Sequence, residues 1–164
     1  MSQQPIIDCL AFVRDSGVLE REVELTRLER VVEFLASVDG AVTYRLEGLK
    51  GERRQPQLRL QVQGNLQLRC QRCLEPVPFA VDIDIVLELV REEVELTEEE
   101  IEDDGKDYLP LTEALDVVQL VEDELLLSLP LVPRHEVCDL PASGQADGHL
   151  SAFAQLAGLK SKLN

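Results

Sequence analysis

Residues 57–70 alternate between apolar and polar side chains, and this run constrains the fold more than any other part of the chain. Gly64-Asn65 at its centre resembles a two-residue hairpin loop, but such a hairpin would set Gln63 opposite Leu66 on one sheet face. A single long strand instead keeps all the apolar side chains on one face, so we predict one strand with a bulge or bend at Gly64. Its apolar face consists of Leu58, Leu60, Val62, Leu66, Leu68 and Cys70.

A second long strand is predicted at 77–89, where apolar residues alternate from Val77 to Leu87. A turn that contains Cys70 and Cys73 joins the two long strands, and shorter alternating runs at 18–25 and 41–47 predict two further strands. Consecutive alternating strands with tight connections are typical of an antiparallel meander that has one face against a core.

Two helices complete this prediction. Thr26 followed by Glu29 fits a capping box for an amphipathic helix over 27–37, and Asp116 followed by Gln119 fits the start of a helix over 117–128. The predicted fold class is therefore α+β, an antiparallel β-sheet meander with two packed helices and a flexible C-terminal arm.

We assign residues 1–138 to a single α+β domain. Residues 92–107 contain ten acidic residues and one lysine, and like-charge repulsion predicts a solvated acidic loop at about 92–110. Residues 139–164 are predicted to form a flexible tether and a short C-terminal amphipathic helix, with Phe153 and Leu156 on its apolar face.

The charge distribution divides the chain in two. The whole sequence has 16 basic and 32 acidic residues, which excludes a simple polybasic nucleic-acid binder. Residues 1–80 hold 11 of each sign, whereas residues 81–164 hold 5 basic and 21 acidic residues, and the stretch from Arg45 to Arg72 has a net charge of +5. No segment predicts a membrane helix or a secretory signal, so the four cysteines favour the reducing cytoplasm.

The cysteines suggest a metal site. Cys70 and Cys73 form a C-x-x-C pair that suits one zinc ion, and His135 with Cys138 has the same spacing. The 61 residues between the pairs are more than a compact zinc ribbon uses. The alternatives are unreactive thiols, as we expect for Cys9, and a thioredoxin-like redox pair, which requires a helix start rather than flanking strands. Structural zinc is thus the cofactor hypothesis.

We expect no enzyme, because the sequence lacks a phosphate-binding glycine loop, a Ser/His/Asp set and an HExxH motif. The Arg- and Gln-rich face of 57–70 suits contacts with RNA phosphates, although an ordinary solvent-facing sheet has a similar composition. The predicted RNA-contacting residues are Arg45, Arg53, Arg54, Arg59, Arg69 and Arg72. The predicted protein-contacting residues are Glu122, Asp123, Glu124, Phe153 and Leu156; a nuclease site at these acids is the least favoured alternative.

Two runs resemble a known family. They are Leu68-Arg-Cys-Gln-Arg-Cys-Leu-Glu-Pro-Val77 and the stretch from Leu120 to His135, which contains EDELLLSLP. Both are similar to the YceD family, the large ribosomal RNA subunit accumulation proteins, and the ending Phe153–Lys160 is similar as well.

The resemblance covers almost the whole chain and implies a bacterial cytoplasmic protein that supports synthesis, processing or stability of 23S ribosomal RNA. It implies 23S ribosomal RNA or a 50S precursor as partner. The acidic half of the chain suggests a basic ribosomal protein as a further partner, and the alternative function is an acidic protein-interaction module or chaperone for such a protein without RNA contact. We expect no membrane and no small-molecule substrate. Many relatives carry a cysteine-rich stretch after the second helix, which implies zinc. Here His135 and Cys138 stand where others have more cysteines.

Overall fold

The computed structural model describes residues 5–51, 55–91 and 107–138. Its elements in chain order are β1 (Ile6–Ile7), α1 (Cys9–Arg14), β2 (Val18–Glu24), a 3₁₀ turn (Leu25–Arg27), α2 (Glu29–Val32), β3 (Leu35–Ser37), β4 (Ala41–Lys50), β5 (Pro56–Arg69), β6 (Pro76–Val90), β7 (Asp107–Pro110), β8 (Leu115–Asp116) and α3 (Val117–Ser128). None of the described helices is long and apolar enough to cross a lipid bilayer.

One mixed sheet organises these elements. Strands β2, β4, β5, β6 and β7 lie side by side in that order, and β3 pairs with the end of β5. Strands β5 and β6 pair antiparallel from Gln57 opposite Glu88 to Arg69 opposite Pro76. Strand β7 is parallel to β6, and β1 forms a separate two-stranded sheet with β8. The predicted α+β class and the predicted meander of β4, β5 and β6 are confirmed.

The apolar face of β5 lies in the core. Leu58, Leu60 and Val62 are fully buried, and α1 and α3 pack on the same face of the sheet. A Cβ atom at Gly48 would lie 2.8 Å from the Cα atom of Val13, so this glycine allows α1 to approach β4 closely. The core is almost entirely aliphatic and forms one layer between the sheet and the helices.

The predicted bulge at Gly64 is wrong. Gly64 pairs in regular register with Val42 on one side and Val81 on the other. A Cβ atom at this position would lie 2.7 Å from the Cγ1 atom of Val42. The glycine is therefore explained by close side-chain packing across the strands rather than by a break in the strand.

The predicted helix over 27–37 is also wrong in most of its length. Helix α2 ends at Val32, and Leu35–Ser37 form β3, which pairs with Leu68 and Gln67 of β5. Strand β4 pairs with β5 only as far as Gly64, which leaves the last residues of β5 with a free edge. Hydrogen bonding along that edge outweighs the helical preference of residues 33–37.

Glu122 supplies the cap of α2 instead of the predicted capping box. Thr26 lies in the 3₁₀ turn, and no side chain next to α2 caps it. The Oε1 atom of Glu122 accepts hydrogen bonds from the backbone N–H of Arg30 at 2.7 Å and of Val31 at 3.4 Å. Glu122 is only 8% exposed, so the prediction that it belongs to a solvated, partner-binding band is corrected.

The rest of α3 agrees with the prediction. Asp116 accepts hydrogen bonds from the N–H groups of Val118 and Gln119, as an N-cap residue does. Asp123 is partly exposed and forms an ion pair with Arg30. Burial, followed by the charges of Asp107 and Asp123, raises the pKa of the half-buried Glu124. The helix bounds 117–128 are confirmed.

The predicted acidic loop ends earlier than about 110, because residues 107–110 form β7. Its backbone pairs with β6 from Leu87 to Val90, so hydrogen bonding continues the sheet on that side. Residues 92–106 lie outside the described residues, as do the predicted tether and amphipathic helix of 139–164.

Removal of the buried cap should destabilise the fold more than removal of the neighbouring ion pair. We expect Glu122→Ala to lower the free energy of unfolding by about 1–3 kcal/mol, because it leaves two N–H groups of α2 without an acceptor. Asp123→Ala should cost less than about 1 kcal/mol, since its ion pair is exposed. Urea denaturation followed by circular dichroism measures both values, and equal losses would contradict the capping role.

Candidate metal centre and neighbouring basic surface

The tip of the β5–β6 hairpin is a tight turn that carries the first pair of cysteines. The N–H of Cys70 donates to the carbonyl of Glu75 at 3.0 Å, and the N–H of Leu74 donates to the carbonyl of Cys70 at 3.0 Å. Leu74 closes this turn with a φ of 67°, a left-handed conformation that normally favours glycine. The turn thereby folds Cys73 back toward Cys70.

The chain after α3 brings the second pair of ligands to the same place. The N–H of Gln71 donates to the carbonyl of Pro133 at 2.9 Å, and its side-chain amide donates to the carbonyl of Leu131 at 3.4 Å. These bonds lay residues 131–138 along the cysteine turn. The sequence separation of the two pairs is thus bridged by the packing of α3 against the sheet.

The structure brings together all four predicted ligands, Cys70, Cys73, His135 and Cys138. One ligand atom from each lies within 4.8 Å of the others, with the Sγ atoms of Cys70 and Cys138 3.9 Å apart. Two thiolates on a tetrahedral zinc ion with Zn–S bonds of about 2.3 Å would be separated by about 3.8 Å. The donor set and its spacing therefore fit zinc.

The orientation of His135 also fits a metal ligand. Its Nε2 atom lies 2.9 Å from the carbonyl oxygen of Pro76, which can only accept, so Nε2 carries the proton. The lone pair of Nδ1 then faces the cluster, 3.3 Å from the Sγ atom of Cys73. Histidine ligands of zinc commonly donate their second N–H to such a carbonyl.

Backbone N–H groups stabilise the thiolate form of Cys70, which is the form that binds a cation. The N–H group of Cys73, helped by those of His135 and Arg72, lowers the pKa of Cys70 to about 5. Cys70 is therefore a thiolate at neutral pH, which is the form that binds metals. Burial raises the pKa of Cys138, and the nearby sulfur atoms of Cys70 and Cys73 act in the same direction. A bound cation would offset that repulsion.

The two alternatives for the cysteines do not describe this arrangement. The C-x-x-C pair lies between two strands and not at the start of a helix, where a thioredoxin-like pair would lie. Cys9 is a buried thiol in α1, away from the cluster, and burial raises its pKa. A chemically inert role suits Cys9, whereas the other three cysteines form one group with His135.

The predicted RNA-contacting arginines are separated in the fold. Arg45 forms ion pairs with Glu47 at 2.6 Å and with Glu20 at 2.9 Å. Arg59 donates two hydrogen bonds to Asp84, at 2.8 and 2.6 Å, on the same outer face of the sheet. Arg59 and Arg69 are ten positions apart on β5, which is about 33 Å at 3.3 Å per residue.

The other arginines divide between the hairpin tip and the region outside the described residues. Arg69 and Arg72 flank the first cysteine, and the sequence analysis missed Arg134, which lies exposed beside His135. Its position next to the predicted ligand His135 could have identified it from the sequence. Arg53 and Arg54 lie outside the described residues.

Comparisons with known proteins agree with the resemblance. The family model described as "Large ribosomal RNA subunit accumulation protein YceD" matches residues 58–160. The chain is 30% identical over 150 residues to a protein of the same description from Haemophilus influenzae, with 83% of each chain covered. No solved structure matches this chain. The matched range contains β6, all but the first two residues of β5, and all four candidate ligands.

We expect protein purified without chelator to contain about one zinc ion per chain, because four ligand atoms converge on one point. Cys73→Ser and His135→Ala should each abolish the bound zinc, whereas Cys9→Ser should retain it as the matched control. Elemental analysis by plasma mass spectrometry measures the stoichiometry. A metal-free wild-type protein would contradict the zinc assignment.

The left-handed residue in the turn gives a separate prediction about stability. Leu74→Gly should raise the free energy of unfolding by about 1 kcal/mol, since glycine adopts positive φ without the steric cost. Ser16→Gly is a suitable comparison, because Ser16 has a φ of 50°. Urea denaturation of the zinc-loaded proteins tests this, and a less stable Leu74→Gly variant would contradict it.

Proposed function

The chain belongs to the YceD family, and from this premise we propose that it is a non-catalytic cytoplasmic factor in the assembly of the large ribosomal subunit. In this proposal it supports synthesis, processing or stability of 23S ribosomal RNA by binding that RNA or a 50S precursor. The family match supports the ribosomal RNA role, and the observation that carries the binding role is the group of exposed arginines, Arg69, Arg72 and Arg134, in the segments that also hold the four converging ligands.

A cluster with four protein ligands favours a structural metal. Catalytic zinc sites have three protein ligands and an open position for water or substrate, whereas structural sites are closed by four. Zinc held by Cys70, Cys73, His135 and Cys138 would fasten the segment after α3 to the turn between β5 and β6. The proposed consequence is a rigid tip rather than a reactive centre.

The RNA contact is supported by guanidinium groups near this tip. Arg69 and Arg72 are exposed, and their side chains form no ion pair with the described residues. Guanidinium groups bind phosphates by paired hydrogen bonds. We expect Arg45 and Arg59 to contribute less to RNA binding, because each already pairs with a carboxylate. Arg53 and Arg54 are proposed as RNA contacts from the sequence alone.

The alternative function is an acidic protein-interaction module for a basic ribosomal protein. It is favoured by the outer face of the sheet, where Glu22, Glu24 and Asp82 are exposed. Asp123 and Glu124 on α3, with Phe153 and Leu156, remain candidates for this contact, whereas the buried Glu122 does not. The two functions differ in whether RNA is needed for the association.

Sedimentation of cell lysates separates them. We expect the tagged chain to move with 50S precursors in a sucrose gradient and to be released by ribonuclease, because RNA provides the contact. Cys73→Ser should reduce this association, whereas Cys9→Ser should not. Depletion of the protein should lower 23S relative to 16S ribosomal RNA. Association that survives ribonuclease would instead support the protein-interaction module.

A further inference from the structure

We infer that one end of the molecule binds unpaired nucleotides of ribosomal RNA, through a surface that we name the knuckle surface. It consists of Arg69, Arg72, Leu74, Leu131, Arg134 and Val137. The inference rests on the proposed function and makes it more specific, because it assigns the contact to one end of the fold and adds apolar contact residues. It also assigns a role to Arg134.

The first observation is the conformation of Leu74. Its φ of 67° is sterically unfavourable for leucine, yet 60% of the residue is exposed to solvent. Glycine would form the same turn without this cost, so local folding does not explain the leucine. Backbone outliers of this kind point to a functional role for the side chain that they present.

The second observation is the exposure of apolar side chains in the segment that is hydrogen-bonded to the cysteine turn. Leu131 is 96% exposed and Val137 is 92% exposed. Hydrogen bonds from Gln71 to the carbonyls of Leu131 and Pro133 hold their segment along the cysteine turn. An exposed apolar group bordered by polar side chains is typical of an interaction surface.

The third observation is the charge of this end. Arg69, Arg72 and Arg134 outnumber the carboxylates of the same segments, Glu75 and Glu136, in a chain whose net charge is −16. None of the three arginines forms an ion pair within the described part of the chain, and Arg69 donates one guanidinium hydrogen bond to the carbonyl of Leu35 at 3.3 Å. Zinc with three thiolate ligands would add one negative charge and bring the local sum to about zero, so the exposed guanidinium groups, rather than a net positive charge, favour an anionic partner over a basic ribosomal protein.

The type of side chain indicates unpaired RNA. All three cations are arginines, whose planar guanidinium groups both pair with phosphates and stack on bases. Aliphatic side chains such as Leu74 can contact the face of a base only where that base is unstacked from its neighbours. In an A-form duplex the base faces are covered, so loops and single strands fit this surface better.

Filter binding of transcribed 23S ribosomal RNA by the full chain, purified without chelator, tests the assignment. We expect Arg72→Glu and Arg134→Glu each to weaken binding at least about fivefold and to flatten the dependence of log K on log salt by about 0.7, because each loses a phosphate contact. Leu74→Gly should weaken binding about fivefold with an unchanged salt dependence, since an apolar contact releases no counterions.

Arg14→Glu and Leu127→Ala are the matched controls, because both residues are exposed and lie outside the knuckle surface. Wild-type protein should protect unpaired nucleotides from dimethyl sulfate, and the knuckle variants should lose that protection while retaining zinc. Knuckle variants that bind like wild type would overturn this surface while the proposed function stands, and wild-type binding to the transcript without protection of any unpaired nucleotide would overturn the RNA class. Wild-type protein that binds neither the transcript nor 50S precursors would overturn the proposed function itself.

Discussion

The antiparallel pairing of β5 with β6 determines where the other parts of the molecule can lie. Cys70 has the same parity as the buried residues of β5, so its thiol faces the layer that holds α3. Residues 131–138, which follow the end of α3, enter that layer at the hairpin tip. A shift of one residue in the register would turn Cys70 toward the outer face and separate the four ligands.

Local sequence predicted the elements whose side chains all obey one period. The alternation over 57–70 and 77–89 and the cap at Asp116 required no knowledge of neighbours, and all three were confirmed. The prediction of a helix over 27–37 was wrong because β4 is too short to cover the whole of β5. How far β4 extends along β5 depends on the assembled sheet and cannot be read from residues 27–37. The capping role of Glu122 could not be predicted either, because the N–H groups that it accepts from are more than 90 residues away in the sequence.

The sequence predicted the four ligands of the candidate site but not the contacts of the residues around them. Two pairs of ligands with equal spacing indicated zinc, but only the packing of α3 shows that the pairs meet. The predicted basic face was less accurate. Glu20 of β2 lies directly opposite Arg45, and Asp84 of β6 lies diagonally across from Arg59, so both pairs depend on the register of the strands and not on composition. Glu47 pairs with Arg45 along β4 itself.

The segment after α3 shows why a metal and an exposed surface would occur together. A loop is normally held to a protein by burial of its apolar side chains, yet Leu131 and Val137 face solvent. Few hydrogen bonds, from Gln71 and His135, connect this segment to the turn. In our proposal metal–ligand bonds replace the missing hydrophobic contacts, and the side chains that would otherwise be buried are left available for a partner.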